Sequence, residues 1–227
     1  VSATFMVVVA KTLDLMEHWN LFFWVTLIVT FLVTAITARI YPLNKIKDEY
    51  AEGSKPQPEK IVKKDRLKTA WTEAVEGAKS NPSLAKNLIL HLKEGFIMAM
   101  GVIPSILSIG LLGLVLATYT PLFDWIAYIF APFTYLLQLP EPMLTAKAVS
   151  LSIAEMFLPA MLVTEAALIT KFIVAVVSIS AILFFSAVIP VILSTDIPLS
   201  IRQMIIIWFE RVVLTLIIVT PIAFILF

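Results

Sequence analysis

Lys147, Glu155 and Pro159 fall within one apolar stretch, Met143 to Val163, which reads M-L-T-A-K-A-V-S-L-S-I-A-E-M-F-L-P-A-M-L-V. A helix of roughly 20 mostly apolar residues crosses a bilayer. Ionisable groups at that depth face protein or a water-filled cavity, where they bind solutes, relay protons or pair. A helical proline lacks an N–H and clashes with the carbonyl four residues back, here that of Glu155. One spot would then hold a carboxyl group and a freed carbonyl, both needing protein or water around them. On a continuous helix Lys147, Ser150, Leu151, Ala154 and Glu155 share a face. Lys147 and Glu155 are about 12 Å apart along it, so each needs a different partner.

Further polar groups sit in neighbouring apolar stretches. Phe172 to Leu193 contains Ser178, Ser180 and Ser186, and Pro190 frees the carbonyl of Ser186. Asp196 follows in the break Ser194 to Pro198. Glu155, Lys147, Ser150, Ser152, Ser186 and Asp196 are therefore the candidate lining of a polar site, with Glu155 as ligand or proton carrier. Pro104, Pro159 and Pro190 are the expected helix breaks. Glu210 and Arg211 are candidate buried charges in the last apolar stretch. Adjacent helical residues point about 100° apart, so they are expected to pair with other helices, Arg211 with a carboxylate such as Glu155.

Composition excludes several chemistries. The 227 residues include no cysteine and two histidines, His18 and His91, far apart in sequence. Thiolate chemistry is ruled out, and neither a metal site nor a cofactor is expected. Intramembrane proteolysis needs a Ser–His pair or histidine ligands within the membrane, so an enzyme is not expected. A net charge of +1 gives no footing for nucleic acid. The chain is 60% hydrophobic, against roughly 45–50% in soluble domains. Runs such as Phe172 to Phe185 do not alternate as barrel strands do. An all-α, multi-pass membrane protein follows, with the lipid bilayer as its first partner.

Along the chain, residues 1–38 hold an apolar opening and a first crossing, Asn20 to Ala38. Val1 to Ala10 reads as the tail of a helix or an interfacial segment. Residues 39–94 form a polar segment with 12 of the 17 Lys and Arg residues, which places it on the cytoplasmic side. Within it, Gly53 to Pro58 reads as a linker. Glu59 to Ala78 reads as an amphipathic helix able to lie on the inner membrane surface. Asn81-Pro82 marks a helix start. Residues 95–227 form the main membrane domain. Phe96 to Ala117 crosses, and its Gly110 and Gly113 allow another backbone to approach closely. Leu122 to Leu139 either crosses or, with Pro132 and Pro140-Glu141-Pro142, returns as a re-entrant hairpin. Six or five spans follow accordingly. Ser200 with Gln203 forms a capping box ahead of the last crossing, Met204 to Phe227.

The segments G-V-I-P-S-I-L-S-I-G-L-L-G-L, Y-T-P-L-F-D-W, A-P-F-T-Y-L-L-Q-L-P-E-P, A-E-M-F-L-P-A and F-F-S-A-V-I-P-V-I-L-S-T-D-I-P resemble the nucleoside-recognition, or Gate-domain, family of bacterial membrane proteins, of the YjiH type. The resemblance spans roughly residues 95 to 221 and is most specific at E-M-F-L-P and S-T-D-I-P. It implies a transport-like fold in the bacterial inner (cytoplasmic) membrane, working with a second Gate-domain protein or as a homo-oligomer. It carries over no catalytic residues. Two functions are expected to compete: a subunit of a transporter for a small polar solute, and a structural or assembly subunit whose buried polar groups only join helices.

Overall fold

The computed structural model describes residues 3–46, 65–80, 82–193 and 197–227. Every regular element among the described residues is helical. The chain divides into two compact units, Val1–Lys47 with Ser105–Phe227, and Asp48–Pro104.

In the first unit, α1 (Ala3–Thr12) precedes α2 (Trp19–Thr37), and the centre is α8 (Leu168–Ser180). Every residue of α8 from Phe172 to Ser180 is buried, as expected for a helix that is apolar on all sides. α2 and α10 (Ile201–Leu226) pack on α8 and on each other. Ring contacts fix their directions. Phe22, early in α2, lies 6.2 Å from Phe172, early in α8. Phe227, just past α10, lies 5.2 Å from Phe172 and 4.9 Å from His18. Thus α2 and α8 run parallel, and α10 runs against both. α10 starts with the expected capping box: the Ser200 backbone N–H donates to Gln203 Oε1 at 2.9 Å, and the Ser200 hydroxyl accepts from the Gln203 N–H.

α2 and α10 bury polar residues among their apolar ones and expose large apolar side chains. On α2, Thr26, Thr30 and Thr37 are buried, while Trp24, Ile28 and Phe31 are exposed, Phe31 by 77%. On α10, Arg211, Thr215 and Thr220 are buried and Ile217, Phe224 and Ile225 are exposed. Among the described residues, Met16–Thr37 and Ile201–Leu226 are helical stretches long and apolar enough to cross a membrane.

α5 (Leu122–Leu136) runs through Pro132 as one helix, so the re-entrant hairpin considered within Leu122 to Leu139 does not form. Instead α5 and α6 (Pro142–Leu151) form an antiparallel hairpin, because Ser150 near the end of α6 reaches Phe123 at the start of α5. The turn between them bends at Gln138, whose φ is 53°. α6 does not continue to Val163 as expected. It ends at Leu151, the chain unwinds, and a separate helix α7 runs only from Leu158 to Leu162. The shared face from Lys147 to Glu155 is therefore interrupted. Phe172 to Leu193 is likewise two helices, α8 and a short α9 (Val188–Leu193).

The prolines do not mark the breaks in the expected way. Pro104 lies inside α4 (Leu84–Tyr119), which runs through it as one 36-residue helix. Pro159 and Pro190 lie in the first turns of α7 and α9, downstream of the unwound segments. The physical reason is that a first-turn N–H has no intrahelical acceptor, so a proline there removes nothing.

In the second unit, α3 spans Arg66–Ser80. Its expected beginning at residues 59–64, the linker at 53–58 and Asn81 lie outside the described residues. His91 pairs with Glu94 one turn on, with Nδ1 3.3 Å from Oε2, on an exposed face of α4.

Candidate functional site

Two unwound segments meet in the first unit, residues 152–157 between α6 and α7, and residues 181–187 between α8 and α9. Local chemistry explains each. Ser150 Oγ donates to the Lys147 carbonyl at 2.7 Å, and Ser152 Oγ to that of Val149 at 2.6 Å. Such short side chains compete with the helix ladder for its carbonyls. The Glu155 carboxylate accepts the Phe157 N–H at 2.6 Å, just ahead of α7, in a local turn that competes with the helix ladder. In the other break Ile182 has φ 63°, and Leu183 N–H closes a tight turn onto the Ala181 carbonyl at 2.7 Å.

The two segments are stitched together through backbone. The Phe185 N–H donates to the Ile153 carbonyl at 2.8 Å, and the Ser186 N–H to the Ala154 carbonyl at 3.1 Å. Peptide groups freed by unwinding one helix are thus satisfied by the other, as burial requires. Gly113 of α4 lies directly against this crossing. A Cβ there would fall 2.9 Å from Ala154 Cβ and 3.3 Å from Leu158 Cδ1. Close approach at Gly113, expected from the sequence, is what permits α4 to pack here. Beside the crossing is an open hollow of about 330 Å³. Gly113, Leu116, Phe123, Ile126, Ile153 and Phe185 are among its walls, all of them apolar.

The candidate residues fall into three groups. Glu155 and Ser186 lie in the two unwound segments that meet, Glu155 half-buried with its carboxylate on the Phe157 N–H, and Ser186 fully buried with no hydrogen-bond partner for its hydroxyl among the described residues. Lys147, Ser150 and Ser152 are engaged elsewhere. Lys147 Nζ pairs with Asp124 Oδ1 at 2.6 Å across the α5–α6 hairpin. Ser150 is held by the Lys147 and Phe123 carbonyls. Ser152 Oγ accepts the indole N–H of buried Trp208 at 2.9 Å. Asp196 lies outside the described residues.

Arg211 does not pair with Glu155 or any other carboxylate among the described residues. Its Nε donates to the Ser180 carbonyl at 2.8 Å, and its Nη1 to the hydroxyls of Thr34 at 3.1 Å and Thr37 at 3.3 Å. Ser180 ends α8, and Thr34 and Thr37 lie in the last turn of α2. A helix C-terminus carries about half a negative charge. Two parallel helices ending at one guanidinium therefore supply the counter-charge that a carboxylate was expected to provide. Ser180 Oγ, 2.8 Å from Thr215 Oγ1, extends the same polar junction. Glu210 makes no ion pair with its neighbour, and its Oε2 is buried without a hydrogen-bond partner among the described residues.

Sequence reasoning missed Asp124 as the partner of Lys147, and Trp208, Thr34 and Thr37 as polar partners. Asp124, an acid in an otherwise apolar stretch, carried a signal. The threonines did not, since hydroxyls are common throughout such helices.

Chemically this is an all-helical protein with two helices suited to a membrane and two interrupted helices joined at their breaks. An uncharacterized protein of Alkalihalophilus pseudofirmus, BpOF4_10220, is 32% identical to it over 233 residues, a match that takes in 100% of this chain and 50% of that protein. The chain thus spans about half the length of the curated relative it matches. No protein-family model and no solved structure matches the chain.

Proposed function

We propose that this chain is a multi-pass subunit of a bacterial inner-membrane transporter for a small polar solute. The observation that carries the reading is the meeting of two interrupted helices, whose unwound segments hydrogen-bond to each other through backbone next to Glu155 and at Ser186. Secondary transporters build substrate and ion sites from discontinuous helices near the bilayer midplane, commonly between two repeats. The large apolar side chains exposed on α2 and α10 support immersion in lipid. α4, about 54 Å long at 1.5 Å per residue, is a further span in this reading. The resemblance to Gate-domain proteins agrees with a second Gate-domain chain, or a second copy of this one, supplying the other repeat.

In this mechanism the Glu155 carboxylate and the Ser186 hydroxyl contact the solute or carry its coupled proton. Lys147, paired with Asp124, and Ser152, paired with Trp208, hold the scaffold. Uptake or counterflow in proteoliposomes, with and without Glu155→Gln, is the test. The variant should fold and lose transport at least tenfold; unchanged transport removes Glu155 from the mechanism.

A second reading, an assembly subunit without transport, is favoured by one observation. The hollow beside the crossing is wholly apolar, and three of the six candidate site residues are consumed by internal contacts. Thermal stabilisation of the purified chain by a nucleoside, amino acid or organic acid, lost in Glu155→Gln, would favour transport over assembly. No stabilisation by any of them would favour assembly.

A further inference from the structure

Outside the crossing, α3 has an unusual predicament. It is a 15-residue helix, and nearly all of its described residues are exposed. Isolated helices of that length are marginal in water, and tertiary burial of an amphipathic face is what normally sustains them. The apolar residues of α3 form one stripe, Leu67, Ala70, Trp71, Ala74, Val75 and Ala78, within an arc of about 140° at 100° per residue. That stripe is bare: Leu67 is 89% and Trp71 74% exposed.

The charges are not scattered around this helix. Lys68 and Lys79 border the stripe on one side and Arg66 on the other, with Glu73 just beyond Arg66 and Glu76 on the far face. Long basic side chains at the edges of an apolar stripe can bury their stems and lift their charges toward headgroups. A protein groove could cover an apolar stripe, but it gives no reason for a cation nearest the stripe on each border.

We infer that α3 is a docking surface for an anionic lipid leaflet, lying in the plane of the interface with Leu67 and Trp71 inserted and Lys68 and Lys79 on acidic headgroups. The occupant is the bilayer, not a partner protein. The inference needs the chain to be in a membrane but does not depend on transport.

The chain has no cysteine, so single labels are clean. The full-length Trp71→Cys protein, carrying a polarity-sensitive dye, is reconstituted into vesicles of neutral phosphatidylcholine alone or with about a third phosphatidylglycerol. Flotation checks reconstitution, so a failure of the membrane reading is seen separately. Each basic residue near an anionic surface is worth about fivefold in binding. Quenching of the dye by an aqueous quencher should therefore fall at least fivefold in anionic relative to neutral vesicles. A K68Q/K79Q double substitution or high salt should remove the difference. A dye at Glu73→Cys should stay accessible in both. If Trp71→Cys does not fold, Leu67→Cys carries the same expectation. Equal quenching at position 71 in both vesicle types overturns the inference, whether the dye is equally open or equally shielded. So does a difference that survives both the lysine substitutions and high salt.

Discussion

Replacing Gly113 by alanine tests whether α4 is held against the helix crossing. Two effects oppose each other. Alanine in a helix interior is favoured over glycine by about 1 kcal/mol. Against that, the new methyl would stand 2.9 Å from Ala154 Cβ, a contact no relaxed pair of carbons adopts, and 3.3 Å from Leu158 Cδ1. Leu158 can turn aside, but Ala154 cannot, because its methyl is fixed to a backbone whose carbonyl is bonded to the Ser186 N–H. Either α4 moves outward or the crossing shifts. Overpacking of this kind costs about 1–3 kcal/mol, so the net effect of Gly113→Ala is a loss of about 1 kcal/mol. Gly101 provides the matched comparison, since it lies in the same helix with nothing within 4 Å of the added Cβ. Gly101→Ala should stabilise by about 0.5–1 kcal/mol. Denaturation of both variants in one detergent gives the difference, and their Tm values should fall on opposite sides of the parent. Equal stabilisation by the two substitutions would show that α4 does not lie against residue 154.

Other substitutions probe separate contacts. Ile182→Gly should be more stable than Ile182→Ala by about 1 kcal/mol in chemical denaturation, because a β-carbon at φ 63° costs roughly that much and alanine keeps it. Ser152→Ala leaves the buried Trp208 N–H without its acceptor and should cost about 1–3 kcal/mol, read as a lower Tm. Arg211→Lys cannot reach Ser180, Thr34 and Thr37 together and should cost about 2 kcal/mol, whereas an unchanged Tm would show that the fork geometry is unimportant. Breaking the half-exposed Asp124–Lys147 pair should matter little, with a double-mutant cycle in detergent giving under about 1 kcal/mol.

Features that depend on a few neighbouring residues were legible in the chain. The capping box at Ser200 needs only Gln203 three residues on. Pro140-Glu141-Pro142 marked the end of one segment and the start of the next, but the hairpin considered within Leu122 to Leu139 is a single helix through Pro132, and the hairpin is made by α5 with α6. Apolar length alone revealed α2 and α10. The unwound segments were only half legible. Prolines at 159 and 190 announced disturbance, but each proline sits where it costs the helix nothing, and the breaks were placed by serine hydroxyls and by backbone pairing between distant segments. Pro104 shows the converse, since a long helix with many remaining bonds absorbs the loss of one. Partners separated widely in sequence were not legible. Lys147 chose Asp124, and Arg211 chose two helix ends rather than a carboxylate, because the packing of α2, α8 and α10 decides what each charge meets.

Water access in sealed vesicles separates a lipid-bathed bundle with a wet crossing from an ordinary soluble one. Single cysteines at positions 31 and 155 are challenged with a charged, water-soluble thiol reagent, with one at position 45 as the freely exposed control. Phe31 is 77% exposed and Glu155 is half-buried, so exposure alone would make position 31 the faster to react. With lipid covering α2 and water reaching the crossing, the order reverses: position 155 is modified and position 31 is not. Rapid modification at 31, matching position 45, together with an inert 155, would contradict both the membrane setting and the site.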